Sequence, residues 1–121
     1  MATVTIYGTY DSPSTQDARE YFRDGDGSVR YVDLTYKAID AVDMQRFLAG
    51  YSLTELVDTE GAEYGRLLGA RASVPNGELL SKIGQTPGLL RLPLVRGGGR
   101  LAVGDDETQW RRIAAGISSK G

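Results

Sequence analysis

Few side chains here could do chemistry at neutral pH, because the 121 residues include no cysteine and no histidine. Thiol redox chemistry is therefore excluded. Zinc and iron sites usually rest on Cys or His, which leaves only carboxylate-oxygen sites for hard cations. Asp11, Asp24 with Asp26, and Asp105 with Asp106 are the acids to consider, and each sits where Asp serves as a turn or helix-start residue. No metal and no cofactor is expected. Hydroxyls concentrate in Tyr10-Asp11-Ser12-Pro13-Ser14-Thr15. A serine hydroxyl needs an adjacent general base to become a nucleophile, and no histidine supplies one. Ser12 reads as a cap or turn hydroxyl. Tyr10 or Asp11 acting as acid or base is an enzymatic alternative, although a loop aromatic more often packs. A second alternative is a small anion, such as phosphate, carboxylate or a glutathione-like group, held by free N–H groups near Ser14 and Thr15 with Arg91 assisting.

The elements that position these residues follow from the apolar spacing. Val4, Ile6 and Tyr7 form a β-prone run that Gly8 to Pro13 ends. Ser14-Thr15-Gln16-Asp17 fits a capping box, and Ala18, Tyr21 and Phe22 supply the buried stripe of the helix it opens, with Arg19, Glu20 and Arg23 outside. Asp24-Gly25-Asp26-Gly27 stops that helix, and Val29 to Leu34 reads as a second strand. Strand, helix and strand within this length make a parallel βαβ unit.

From Asp40 to Gln85 the spacing is helical, carried by Val42, Phe47, Leu48, Leu53, Leu56, Val57, Tyr64, Leu67, Leu68, Leu79, Leu80 and Ile83. Gly50, Gly61, Gly69 and Pro75-Asn76-Gly77 divide it into about four short helices. The runs Leu92 to Val95 and Arg100 to Val103 flank Gly97-Gly98-Gly99, a hairpin signal. A phosphate loop would need a Lys-Ser/Thr and a helix directly after it, and neither follows. A last helix starts near Asp105-Asp106-Glu107 with the stripe Trp110, Ile113, Ala114 and Ile117, and the tail from Ser118 to Gly121 is expected to fray.

The length suits one domain, and apolar and charged fractions of 40% and 25% are those of a globular chain. No apolar run approaches the ~20 residues of a membrane span, and the N-terminus lacks a secretory signal, so the expected compartment is the cytoplasm. A formal charge of -2 offers no positive field for phosphate backbones. Direct nucleic-acid binding is not expected.

The order β-α-β, a helical insert, then β-β-α, with a proline opening the third strand, is the α/β thioredoxin-like arrangement. Its core is expected over about 1–37 and 86–117 of a single domain, with the insert over about 38–85. Thr86-Pro-Gly-Leu-Leu-Arg91-Leu-Pro93-Leu-Val95, followed by Arg100-Leu101-Ala-Val103-Gly104, resembles the C-terminal signature of the arsenate reductase (ArsC)/Spx family, and the Ile6-Tyr7 strand end agrees. The resemblance spans the whole chain and implies a cis bond at Pro93.

Carried over by position, the resemblance places the family's nucleophilic cysteine on Ser12 and the second cysteine of Spx-type members on Thr15. An anion-binding arginine of the insert falls on Glu60, and the arginine before the signature proline falls on Leu92. Arg91 and Arg100 remain. Arsenate reduction is thus not expected. The Spx branch binds the C-terminal domain of the RNA polymerase α subunit, with a glycine that falls here on Ser52. The resemblance therefore implies a redox-dead protein that binds another protein, with RNA polymerase as the leading candidate and transcription regulation as its role.

Overall fold

The computed structural model describes residues 3–23, 25, 28–69 and 74–118. Of the expectations above, those on Asp24, Asp26 and Gly27 and on the tail 119–121 lie outside the described residues. The chain divides into two compact units, Met1–Lys37 with Leu92–Gly121, and Ala38–Arg91.

The first unit is built on a four-stranded sheet of β1 (Thr3–Gly8), β2 (Ser28–Asp33), β3 (Leu94–Gly97) and β4 (Arg100–Val103) in the order β2-β1-β3-β4. β1 and β2 are parallel with Ile6 opposite Tyr31, as the intervening helix α1 (Pro13–Arg23) requires. β3 and β4 run antiparallel and put Val95 between Ile6 and Ala102. Their turn is Gly98-Gly99 with φ of 56° and 78°, the left-handed pair that a two-residue hairpin demands. The triple glycine is a turn and not a phosphate cradle.

One face of the sheet carries the apolar core. Val4, Ile6, Val95 and Ala102 meet Ala18 and Phe22 of α1 and Trp110, Ile113 and Ile117 of the last helix, α6 (Glu107–Ser118). Tyr21 and Ala114 are only partly buried at its margin. Burying each large apolar side chain in such a cluster contributes about 1.5–3 kcal/mol, offset by the entropy of ordering the chain. α6 begins where Asp106 Oδ1 accepts from the Gln109 N–H at 3.2 Å. The Leu92–Pro93 bond is cis, and the Pro93 carbonyl accepts from the Gly104 N–H at 2.9 Å.

The second unit contains α2 (Ala41–Leu48), α3 (Leu53–Leu56), α4 (Ala62–Leu68) and α5 (Asn76–Gln85), then a 3-10 turn at Pro87–Leu89. Met44, Phe47, Leu53, Leu56, Val57, Leu68, Leu79 and Ile83 are buried. Val42 and Leu80, expected in the apolar stripe, are 61% and 38% exposed. The stripe of α2 runs through Met44 and Phe47, and Val42 stands about 200° around the helix from Met44. The insert also reaches further than residue 85. Val57 bridges Leu90, the Asp58 N–H donates to Leu89, and the Arg91 N–H donates to Leu56, both at 2.8 Å, so 86–91 belong to this unit.

Candidate functional site

The hydroxyl cluster forms the loop from β1 into α1. The Ser12 N–H donates to the Thr9 carbonyl at 3.2 Å, which turns the chain, and Pro13 opens the helix as its first residue. Pro13 brings a fixed φ and no N–H to satisfy. Ser12 Oγ then accepts from the Thr15 N–H at 3.3 Å, while the Ser12 carbonyl accepts from the Gln16 N–H at 3.2 Å. The cap is therefore Ser12, two residues before the capping box expected from Ser14. Gln16 Nε2 reaches back to the Tyr10 carbonyl at 2.9 Å and ties the loop down.

These bonds decide what the helix start can bind. A helix N-terminus offers up to four free N–H groups to an anion. Here Pro13 has none, Thr15 and Gln16 are bonded to Ser12, and among the described residues only the Ser14 N–H of the first turn finds no acceptor. Ser14 is half-buried. Thr15 is fully buried, and its Oγ1 has no hydrogen-bond partner among the described residues. It lies against Gly8, which has no Cβ to oppose it. Tyr10 does not pack into the loop, as the sequence suggested, but is 74% exposed at its tip.

Of the other sequence-derived positions, the half-buried Leu92 and buried Pro93 lie in the first unit, just before β3. Ser52, Glu60 and Arg91 lie in the second unit. Ser52 is the N-cap of α3: its Oγ accepts from the Glu55 N–H at 3.2 Å and its N–H donates to Glu55 Oε1 at 2.8 Å. This reciprocal pair accounts for a serine there without any partner protein. Glu60 and the Arg91 side chain are exposed.

Two arrangements escaped the sequence reading. Arg96 Nε donates to the buried Tyr7 hydroxyl at 2.8 Å, joining β3 to β1. The Arg19 guanidinium carbon stands 4.2 Å above the Tyr31 ring, and Arg19 Nη1 donates to Gln16 Oε1 at 3.2 Å. The βαβ order could have suggested the second, since it lays α1 over β2. Burial, and next the Asp33 charge, push the Tyr31 phenol above its ordinary pKa, with Arg19 opposing. The Tyr31 hydroxyl has no hydrogen-bond partner among the described residues. Among the described residues no group of three or more carboxylates could hold a metal ion, and no helix is long and apolar enough to cross a membrane.

The model of the ArsC family matches residues 7–113. No curated protein matches the chain. Among solved structures it is similar to a YFFB protein at 17% identity and a TM-score of 0.79, covering 92% of this chain and 98% of that one. An arsenate reductase from Vibrio cholerae gives 14% identity and a TM-score of 0.76, covering 92% and 97%. An arsenate reductase (ArsC) related protein from Brucella melitensis gives 23% identity and a TM-score of 0.68, covering 91% and 92%. At these identities the likeness establishes the fold.

Proposed function

The chain belongs to the ArsC family, and from that premise, joined to its lack of any thiol, we propose a non-catalytic member that acts through protein–protein contact. The observation that carries this reading is the fate of Ser12, the position on which the resemblance places the nucleophile. Its hydroxyl is an acceptor within the α1 cap, and no histidine is present in the chain to act as its base. Pro13 and the bonds to Thr15 and Gln16 leave little of the helix start for an anion. A protein surface is the better use of such a scaffold.

RNA polymerase is the leading candidate partner, through the C-terminal domain of its α subunit, on the strength of the resemblance to the Spx branch. This reading implies a transcription regulator of the cytoplasm. Two surfaces suit the contact: the loop Thr9 to Thr15, whose exposed residues are Tyr10, Asp11 and Pro13, and the stretch from Ser52 to Glu60, whose exposed residues are Ser52, Thr54, Glu55, Thr59 and Glu60. With no thiol to oxidise, binding is indifferent to redox state. Pull-down with polymerase holoenzyme and with the isolated α C-terminal domain, with and without dithiothreitol, tests it. Equal retention in both conditions supports the proposal, and no retention in either removes polymerase as the partner.

A further inference from the structure

β2 is an edge strand, and its open side is chemically specific. The Leu34 N–H donates to the Gly8 carbonyl at 2.8 Å. In a parallel ladder the N–H and C=O of one residue point the same way and alternate along the strand. Arg30, Val32 and Leu34 therefore address β1, while Val29, Tyr31 and Asp33 turn their backbone groups outward. The Asp33 carbonyl also takes the Tyr36 N–H at 3.3 Å and keeps a second lone pair. Because Tyr31 is in register with Ile6, the side chains of Val29, Tyr31 and Asp33 stand on the α1 side of the sheet. A cavity of about 370 Å³ opens there, lined by Gln16, Arg19, Glu20, Arg23, Val29 and Tyr31.

We propose that this α1–β2 edge is an interface between two copies of the chain, related by a two-fold axis through Tyr31, which joins two four-stranded sheets into one. The charge order carries the assignment. The two-fold sets α1 antiparallel to its mate, so that Arg19 of each copy meets Glu20 of the other, while Gln16 keeps its bonds to Tyr10 and Arg19 of its own chain. Each Arg19 guanidinium faces a carboxylate, and the contact occurs twice. The stacking of Arg19 on Tyr31 ties the charged face of α1 to the residue at the centre of the strand pairing. Centred on Tyr31, β2 sets Val29 opposite Asp33 and Arg30 opposite Val32, with no like charges opposed. The groove is lined by two cations, Arg19 and Arg23, and the carboxylate Glu20, and the charges of Asp33 and Asp11 reach Tyr31 on its floor. A peptide of one charge sign matches that mixed row less well than the row itself reversed.

Sedimentation equilibrium and amide exchange on the full chain test the interface. A dimer is expected whose Val29, Tyr31 and Asp33 amides exchange more slowly as concentration rises. Glu20→Arg places like charges together at two points and should weaken association by ~100-fold. Glu20 is exposed, so the fold should survive, which thermal unfolding checks. Combining it with Arg19→Glu reverses both charges but removes the stack on Tyr31, so it should recover about tenfold of the lost affinity and not all of it. A chain that stays monomeric at millimolar concentration overturns the proposal, as does a dimer indifferent to Glu20→Arg. Protection of the same amides by an extended foreign peptide, with the chain itself monomeric, overturns it too.

Discussion

Thr15 lies directly over Gly8: a Cβ added to Gly8 would stand 2.3 Å from Thr15 Oγ1 and 2.4 Å from Cγ2. The missing side chain lets α1 settle against the end of β1, and buried Thr15 has no room to retreat. Gly8→Ala should therefore cost about 1–3 kcal/mol, as overpacking does. Adding Thr15→Ala should restore part of that loss, because the two substitutions share one clash. Urea midpoints of the two single variants and the double variant measure the coupling.

Thr15→Val should raise stability by about 1 kcal/mol, since it replaces a buried hydroxyl that has no partner with a methyl of similar shape. Thermal unfolding decides this. A fall in stability would reveal a hydrogen-bond partner for the hydroxyl.

Ser12→Ala should cost about 1 kcal/mol through loss of the cap bond to the Thr15 N–H. Ser12→Cys should keep the fold and still not reduce arsenate. Glu60 and Leu92 stand where the resemblance places two arginines, so the oxyanion would lack both positive partners. Arsenate turnover above a no-enzyme control, with glutathione or thioredoxin supplied, would show this wrong.

Tyr31→Phe should be neutral or slightly stabilising at neutral pH, because the phenol hydroxyl has no partner. Its effect should grow in alkali. A phenol whose folded pKa lies above the unfolded value of about 10 contributes fully below that value, and the contribution is lost as pH rises through the folded pKa. The difference between parent and variant stability, followed by urea titration from pH 8 to about 11, isolates this one tyrosine from the other alkaline groups.

The strand-helix-strand start, the glycine hairpin and the last helix were legible because each is marked by local residues: Gly8, Gly98-Gly99, Asp106 and the Trp110 stripe. Ser12 as a cap hydroxyl holds, whereas the capping box expected from Ser14 does not form at that residue, because Ser12 and Ser14 offer the same hydroxyl. Pro13 was the discriminating signal, since proline favours the first helical position and assigns the cap to the residue before it. Val42 and Leu80 were misplaced because apolar spacing alone does not say which of two adjacent faces is covered. The pairs Arg19–Tyr31 and Tyr7–Arg96 depend on strand register, which no local residue announces.

The sheet order sets a timing problem for a chain made from its N-terminus. β1 is an inner strand, and β2 follows soon enough to pair with one side of it. The other side waits for β3: Tyr7 and Arg96 are 89 residues apart. At the usual pace of translation that interval is on the order of ten seconds. Throughout it the antiparallel edge of β1 stands open on the ribosome, and it closes only once β3 has cleared the exit tunnel. A nascent chain stalled before β3 should therefore recruit chaperones that hold exposed strands, and release should follow the emergence of the hairpin.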